Sequence, residues 1–209
     1  MKKMLKLFFF LLWIGLQAAE KMPEPFASVH LMPEYRFGYY ANASQIEQIF
    51  SENEIRTVIE VGSWIGGGST LHFGLLLKQK GGKLYAVDTW LGSSTQQIGQ
   101  AHYQPILPDV YHQFLSNMIH WQLTDTVIPM RMRSEEVAKM IKVTPDLVYI
   151  DAEHTTEAVY QDLTAWYPFG GILCGDDWGW DSVRLAVERF AQEKGLRIEA
   201  SGNFWKLKN

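Results

Sequence analysis

The sequence predicts a doubly wound α/β domain, and three observations predict it. Short β-branched runs alternate with helical patterns five times, the runs Leu147-Val148-Tyr149-Ile150 and Ile172-Leu173-Cys174 are almost wholly apolar, and glycines and acids gather where strands end. Such alternation yields parallel strands joined by crossover helices, and strands apolar on both sides suit a sheet covered on both faces.

The elements follow in order. Ser44 and Glu47 form a capping-box pair ahead of Ile46, Ile49 and Phe50, which share one helical face, so a helix starts here. Strand and helix then alternate as 57–61 and 69–80, 84–88 and 111–121, 126–130 and 134–141, 147–151 and 156–167, 172–175 and 182–194. The tail breaks the pattern: 196–200 and 204–207 read as strands joined by the tight turn Ser201-Gly202-Asn203, an antiparallel hairpin at one edge. No repeat or linker follows residue 43, so one domain over 44–209 is expected.

Two segments precede it. Residues 1–19 carry Lys2, Lys3 and Lys6, an apolar run from Leu7 to Leu16, and the small residues Ala18 and Ala19, the layout of a secretory signal. The run is about half the roughly 20 residues of a spanning helix, so a cleaved signal or a loosely inserted tail is expected, with transient membrane contact. Leu16 and Gln17 stand where cleavage prefers small residues, and the alternative is an amphiphilic helix on a cytoplasmic protein. Residues 20–43 are rich in Pro, Tyr and Phe without a clean period and read as an irregular arm folded over the domain.

Composition bounds the function. With 209 residues, 47% hydrophobic and 13% aromatic, the chain builds a full core and is not disordered. The 23 acids outnumber the 19 Lys and Arg, and losing residues 1–19 takes the net charge from -4 to -7, leaving no basic field for nucleic acid. Cys174 stands alone, which excludes an internal disulfide and a cysteine zinc cluster. Oligomeric state is not legible.

Ligands of an open parallel sheet bind beyond the carboxyl ends of its strands. The first loaded end is Glu60-Val61-Gly62-Ser63-Trp64-Ile65-Gly66-Gly67-Gly68-Ser69, a glycine-rich turn leading into a helix. A dinucleotide fingerprint would need glycine at Trp64, and a P-loop would need lysine at Gly68. Glu60 and Asp88, which ends the second strand, suit instead a cationic, ribose-bearing ligand, and S-adenosylmethionine has those properties. Asp88 is placed to accept from ribose hydroxyls, Trp90 to pack on the adenine face, and Ser134 with Glu135 to meet its edge.

The other loaded ends are Asp151-Ala152-Glu153-His154 and Asp176-Asp177. Three aspartates ending adjacent strands repel one another unless a cation or protons hold them, and all-oxygen ligation favours Mg²⁺, with Mn²⁺ or Ca²⁺ as alternatives. The bland alternative is helix capping. His154 is a usable base near neutral pH, with Glu153 as its competitor. His30, His72, His102, His112 and His120 lack ligand-like spacing and read as surface or packing residues.

The motifs VIEVGSWIGGGST, LYAVDTWLGS, the serine of MRSEEVA, DLVYIDAEHTTEAVYQDL and GGILCGDDW, in this order from Thr57 to Trp178, resemble the class I S-adenosylmethionine-dependent methyltransferases. The closer likeness is to small-molecule O-methyltransferases of the catechol and macrolide-sugar type. The resemblance implies a Rossmann-like, mostly parallel seven-stranded sheet with a terminal hairpin. It implies a cofactor pocket of Glu60, Gly62, Ser63, Gly66, Asp88, Trp90 and Ser134, and metal ligands Asp151, Asp176 and Asp177. His154 falls where sugar-modifying relatives carry a histidine base, which implies a sugar or alcohol hydroxyl as acceptor. Thr156 departs from the aromatic residue that relatives often carry there. The arm and the loop 91–110, with Tyr103 and Pro105, are expected to close over the site. Two other readings stand beside this one: an exported S-adenosylmethionine- or metal-binding protein without catalysis, and a nicotinamide oxidoreductase, which Trp64 disfavours.

Overall fold

Val, Ile, Tyr and Leu on alternating sides make each short apolar run a strand that packs on both faces. The computed structural model describes residues 22–94 and 109–209. Its strands are β1 (Thr57–Val61), β2 (Lys83–Asp88), β3 (Val127–Arg131), β4 (Leu147–Ile150), β5 (Ile172–Gly175), β6 (Arg197–Ser201) and β7 (Phe204–Lys208). They form one sheet in the order β3-β2-β1-β4-β5-β7-β6. The first five run parallel, and β7 enters antiparallel between β5 and β6. The expected fold class and terminal hairpin are both present.

Among the described residues six α-helices cover the sheet: α1 (Ala43–Glu52), α2 (Ser69–Lys80), α3 (Val110–His120), α4 (Ser134–Met140), α5 (Thr156–Trp166) and α6 (Asp181–Lys194). The strand period of two sorts neighbouring residues to opposite faces. Val58 and Tyr149 join a core with Ile46, Phe73 and Phe114, whereas Ile59 and Val148 join a second with Leu163, Trp166 and Phe190. Burying each such side chain is worth about 1.5–3 kcal/mol, so the sheet is held from both sides.

The helix before β1 corrects the sequence reading. α1 begins at Ala43 with Asn42 as N-cap, and Ser44 Oγ donates to Gln45 Oε1 at 2.9 Å rather than capping. Asn42 makes no side-chain cap either, because its Nδ2 donates to the Tyr149 hydroxyl at 3.0 Å.

The arm lies along α3 and is fastened by polar side chains of that helix. Ser116 Oγ accepts from the Met32 N–H, Asn117 accepts from the Tyr35 N–H and donates to the Tyr35 carbonyl, and Gln113 donates to the Pro33 carbonyl. Residues 1–19 and the loop residues Tyr103 and Pro105 lie outside the described residues. Among the described residues no helix is long and apolar enough to cross a membrane.

Candidate active site

The carboxyl ends of β1, β2, β4 and β5 open into a cleft of about 1200 Å³, roofed on one side by Phe37 to Ala41 of the arm. Ligand pockets commonly span about 300–1,000 Å³, so this one has room for two reactants.

On the β1 side the glycine-rich turn is fixed from beneath. Asp88 Oδ2 accepts from the backbone N–H groups of Ser63 and Trp64 at 2.9 Å each, and Oδ1 accepts from the Trp90 N–H at 2.7 Å. Burial raises the pKa of Asp88 while these donors pull it down. Gly62 is required by backbone contact: with φ +94, a Cβ there would lie 1.9 Å from the Asp151 carbonyl oxygen. Gly67 is required by the arm, since its Cβ would meet the Phe37 carbonyl oxygen at 2.2 Å.

Glu60 is fully buried behind the turn, its Oε2 accepting from Ser63 Oγ at 2.8 Å and Thr70 Oγ1 at 2.6 Å. Its Oε1 has no hydrogen-bond partner among the described residues. Burial pushes this carboxyl up to about 7, against the pull of the neighbouring hydroxyls. An orphaned buried carboxylate oxygen lies directly behind the turn, outside the lining of the cleft.

Like Glu60, two further residues expected at the cofactor do not line the cleft. Trp90 is 2% exposed, with its ring packed between Tyr111 and Phe114, so it offers no stacking face. It braces the turn instead, its indole N–H donating to the Trp64 carbonyl at 2.6 Å. Gly66 faces the core, where a Cβ would meet Met118 Cε at 2.5 Å, and its need is packing against α3.

On the β3 side Ser134 lines the cleft as expected, together with a residue the sequence reading missed. The Trp166 indole N–H donates to Ser134 Oγ at 2.7 Å, and the Ser134 hydroxyl lowers the pKa of the neighbouring Asp162. Asp162 is 8% exposed, and burial pushes it up to about 6. A signal was present: Asp162 sits on the buried stripe Val159, Leu163 and Trp166 of α5, where an amphipathic helix carries apolar residues.

The acidic end gathers a different set from the one expected. Ligand atoms of Asp151, His154 and Asp177 all lie within 4.8 Å of one another. Asp176 falls outside that cluster, because its Oδ2 accepts from the Tyr149 hydroxyl at 3.3 Å and its Oδ1 from the Asp177 N–H at 2.7 Å. None of these aspartates caps a helix: α5 is capped by Thr155, and the N-cap of α6 is Trp180. Asp177 adopts left-handed backbone, φ +60, which a non-glycine residue adopts at some cost.

Burial raises the Asp151 pKa strongly, and the charges of Asp176, Asp177 and Glu60 add to it. Such a carboxyl is poised for a cation. His154 Nε2 lies 2.8 Å from Asp177 Oδ2, and the ring packs on Trp180 with centroids 4.9 Å apart. Burial would lower the pKa of this imidazole, but the hydrogen bond and charge of Asp177, with Glu153 and Asp176, outweigh it and raise it. Glu153, the competing base, is engaged with the backbone and hydroxyl of Ser94. Thr156 Oγ1 donates to the Ser182 carbonyl at 3.0 Å, so this departure ties α5 to α6. Of the histidines read as packing or surface residues, His72 binds the Tyr40 hydroxyl through Nδ1 at 2.8 Å.

Comparison with known proteins bears on the fold that carries this site. The O-methyltransferase NovP superposes with a TM-score of 0.62 at 15% identity, over 80% of this chain and 78% of its own. A protein provisionally assigned as a caffeoyl-CoA O-methyltransferase from Staphylococcus aureus gives 0.59 at 12%, over 80% and 83%. The Podospora anserina methyltransferase PaMTH1, bound to S-adenosylhomocysteine, gives 0.57 at 12%, over 80% and 77%. At these identities the likeness is one of fold. Residues 59–178, more than half the chain, match the family profile described as a methyltransferase domain, and the chain belongs to that family of S-adenosylmethionine-dependent enzymes.

Proposed function

We propose that this methyltransferase acts on a hydroxyl of a small molecule, a sugar among the candidates, with the help of a divalent cation. One observation carries the reading: the cluster Asp151, His154 and Asp177 lies in the same cleft as the glycine-rich turn and Asp88. Gly62, Ser63, Asp88 and Ser134 would hold the cofactor, with Glu60, Gly66 and Trp90 acting through the turn. Asp151 and Asp177 would hold the cation, Mg²⁺ first by their hard oxygen donors, and Asp176 would aim Asp177.

Bound there, S-adenosylmethionine supplies an electrophilic methyl on a sulfonium, and the cation supplies Lewis acidity toward the acceptor hydroxyl. His154 takes the hydroxyl proton. With Nε2–H donated to Asp177, the nitrogen free to accept it is Nδ1, and the Asp177 carboxylate stabilises the imidazolium that forms. The turn and the arm fix the reactants in one geometry, which removes much of the entropic barrier of a two-reactant encounter.

The lining supports an uncharged or cationic acceptor. Asp88, Glu135, Asp151, Glu153, Asp162, Asp176 and Asp177 face the cleft against Arg133 as its one Lys or Arg among the described residues. Residues 95–108, which lie outside the described residues, contain neither Lys nor Arg.

The test is calorimetric titration of S-adenosylmethionine into the full chain with and without Mg²⁺, followed by mass spectrometry of a sugar panel for a gained methyl group. Cofactor binding with methyl transfer supports the reading, and absence of binding by folded protein overturns it. Binding without transfer would favour the exported, non-catalytic reading, which rests on the signal-like residues 1–19. Export or membrane attachment through those residues is part of the proposal, checked by sequencing the mature amino terminus from the culture medium and the membrane fraction.

A further inference from the structure

The two ends of the sheet carry opposite charge. Where the parallel strands finish lie the acids of the cleft, Asp88 ending β2, Asp151 after β4, and Asp176 and Asp177 after β5. Where they begin lie bases: Arg56 before β1, Lys78 and Lys80 in the last turn of α2, Lys83 opening β2, Lys142 before β4 and Arg197 opening β6.

The acids at this second end are largely engaged. Glu54 pairs with Arg56 at 2.8 Å, Asp146 accepts from the N–H groups of Arg56 and Thr57, and Glu52 accepts from Gln48. At the corner between α2 and β3, Lys78, Lys80 and Lys83 gather beside Asp125, the single acid of the α3–β3 connection. Each lysine donates to a backbone carbonyl, Lys78 to Gln122, Lys80 to Phe50 and Lys83 to Asp125. A carbonyl orients an ammonium group without cancelling its charge.

The described chain begins at the same corner. Met22 lines a cavity of about 530 Å³ together with Lys78, Lys83, Gln122 and Asp125. Just before Met22 in the sequence stand Lys21 and the segment 1–19, with its apolar run Leu7 to Leu16 and Lys2, Lys3 and Lys6. So short an apolar run anchors only marginally by itself, and stable attachment takes a second signal such as a polybasic patch. The corner offers that patch where the segment joins the domain. The far end gives the orientation, because the acidic cleft is repelled by anionic lipid while the lysines are drawn to it.

We propose that the end of the domain centred on Lys78, Lys80 and Lys83 docks on an anionic lipid bilayer that residues 1–19 enter, so that the cleft faces the aqueous side; this rests on the membrane attachment included in the functional reading above.

The experiment is sedimentation of the full chain with vesicles of phosphatidylcholine alone and with about 30% phosphatidylglycerol. Wild-type protein is expected to bind the anionic vesicles at least about 10-fold more tightly at low salt, with the gap closing as salt rises. The triple variant Lys78→Gln, Lys80→Gln and Lys83→Gln should cut that preference at least about 5-fold, whereas Arg184→Gln with Arg189→Gln on α6 should change it less than about 2-fold. Spin labels at Gln79→Cys in α2 and Ser201→Cys at the cleft end of β6, both exposed, read the orientation with the lysines intact, since Cys174 is buried. A nickel-chelating lipid should relax the label at 79 several-fold more strongly than the label at 201. Equal relaxation overturns the inference, as does an unchanged preference in the lysine variant. Equal wild-type binding to both vesicles overturns the docking face and leaves attachment standing, and binding to neither overturns both. Equally tight binding of double-stranded DNA at the same salt would make this a general polyanion surface and overturn the lipid assignment.

Discussion

Trp90 donates its indole N–H to the Trp64 carbonyl at 2.6 Å while its own backbone N–H is held by Asp88. A core side chain thereby sets the shape of a loop that faces the ligand. Trp90→Phe keeps a ring in the core and removes the donor, so we expect a loss of about 1 kcal/mol in thermal unfolding and a several-fold weaker S-adenosylmethionine affinity by calorimetry. Unchanged affinity with lowered stability would confine Trp90 to packing.

Gly62→Ala should be far more damaging. The added Cβ would meet backbone, the Asp151 carbonyl, at a residue with φ +94, and neither can yield. We expect a loss above about 3 kcal/mol or insoluble expression. A melting temperature within a few degrees of wild type would show that β1 and β4 can part at their carboxyl ends.

Asp162 makes stability depend on pH. Its folded pKa of about 6 lies above the roughly 3.9 of an unfolded aspartate, so the folded state keeps a proton the unfolded state gives up. That contribution is fully present below about pH 4, falls away as pH rises through 6, and amounts to about 3 kcal/mol at most. Asp162→Asn removes the titration, so its melting temperature should gain on wild type between about pH 4 and pH 6 and level off above about pH 7. Parallel curves would mean that the carboxyl titrates alike in both states.

Cation binding should follow the observed cluster. Mn²⁺ binding followed by electron paramagnetic resonance should weaken at least about 10-fold in Asp151→Asn and in Asp177→Asn, each of which removes a charge from the site. Asp176→Asn should weaken it less, since Asp176 accepts from Tyr149 and the Asp177 N–H outside the cluster. Equal losses at all three positions would return Asp176 to the ligand set.

The acceptor prediction is one of charge. In competition between a neutral sugar and its 6-phosphate, methyl transfer should favour the neutral compound by at least about 10-fold at low salt, and added salt should narrow the gap. Preference for the phosphate would place a cationic subsite outside the described residues.

The order of strands and helices was legible because β-branching and apolar period carry it directly, and the β4 motif put Asp151 and His154 within reach of each other. The placements that differed share a cause in the backbone. Trp90 and Asp177 both take left-handed φ, +52 and +60, a conformation that neighbouring residues do not announce. One ring goes into the core, and the cluster forms around Asp177 rather than Asp176. Ser44 failed as a cap because Asn42, two residues earlier, is bound to Tyr149, 107 positions away in the chain. Asp162 was legible in principle as a charge on an apolar stripe and was passed over because it lies in no loop.

Phe37 to Ala41 line the cleft yet lie outside residues 59–178, the block shared with the family, and so does Asn203 on the opposite flank. The block matched by the family profile therefore supplies the strand ends of the cleft, while a wall segment comes from outside that block. Lineages could exchange acceptors by rewriting the arm alone, and a chimera carrying a relative's arm would be the natural way to transplant substrate choice without disturbing the sheet.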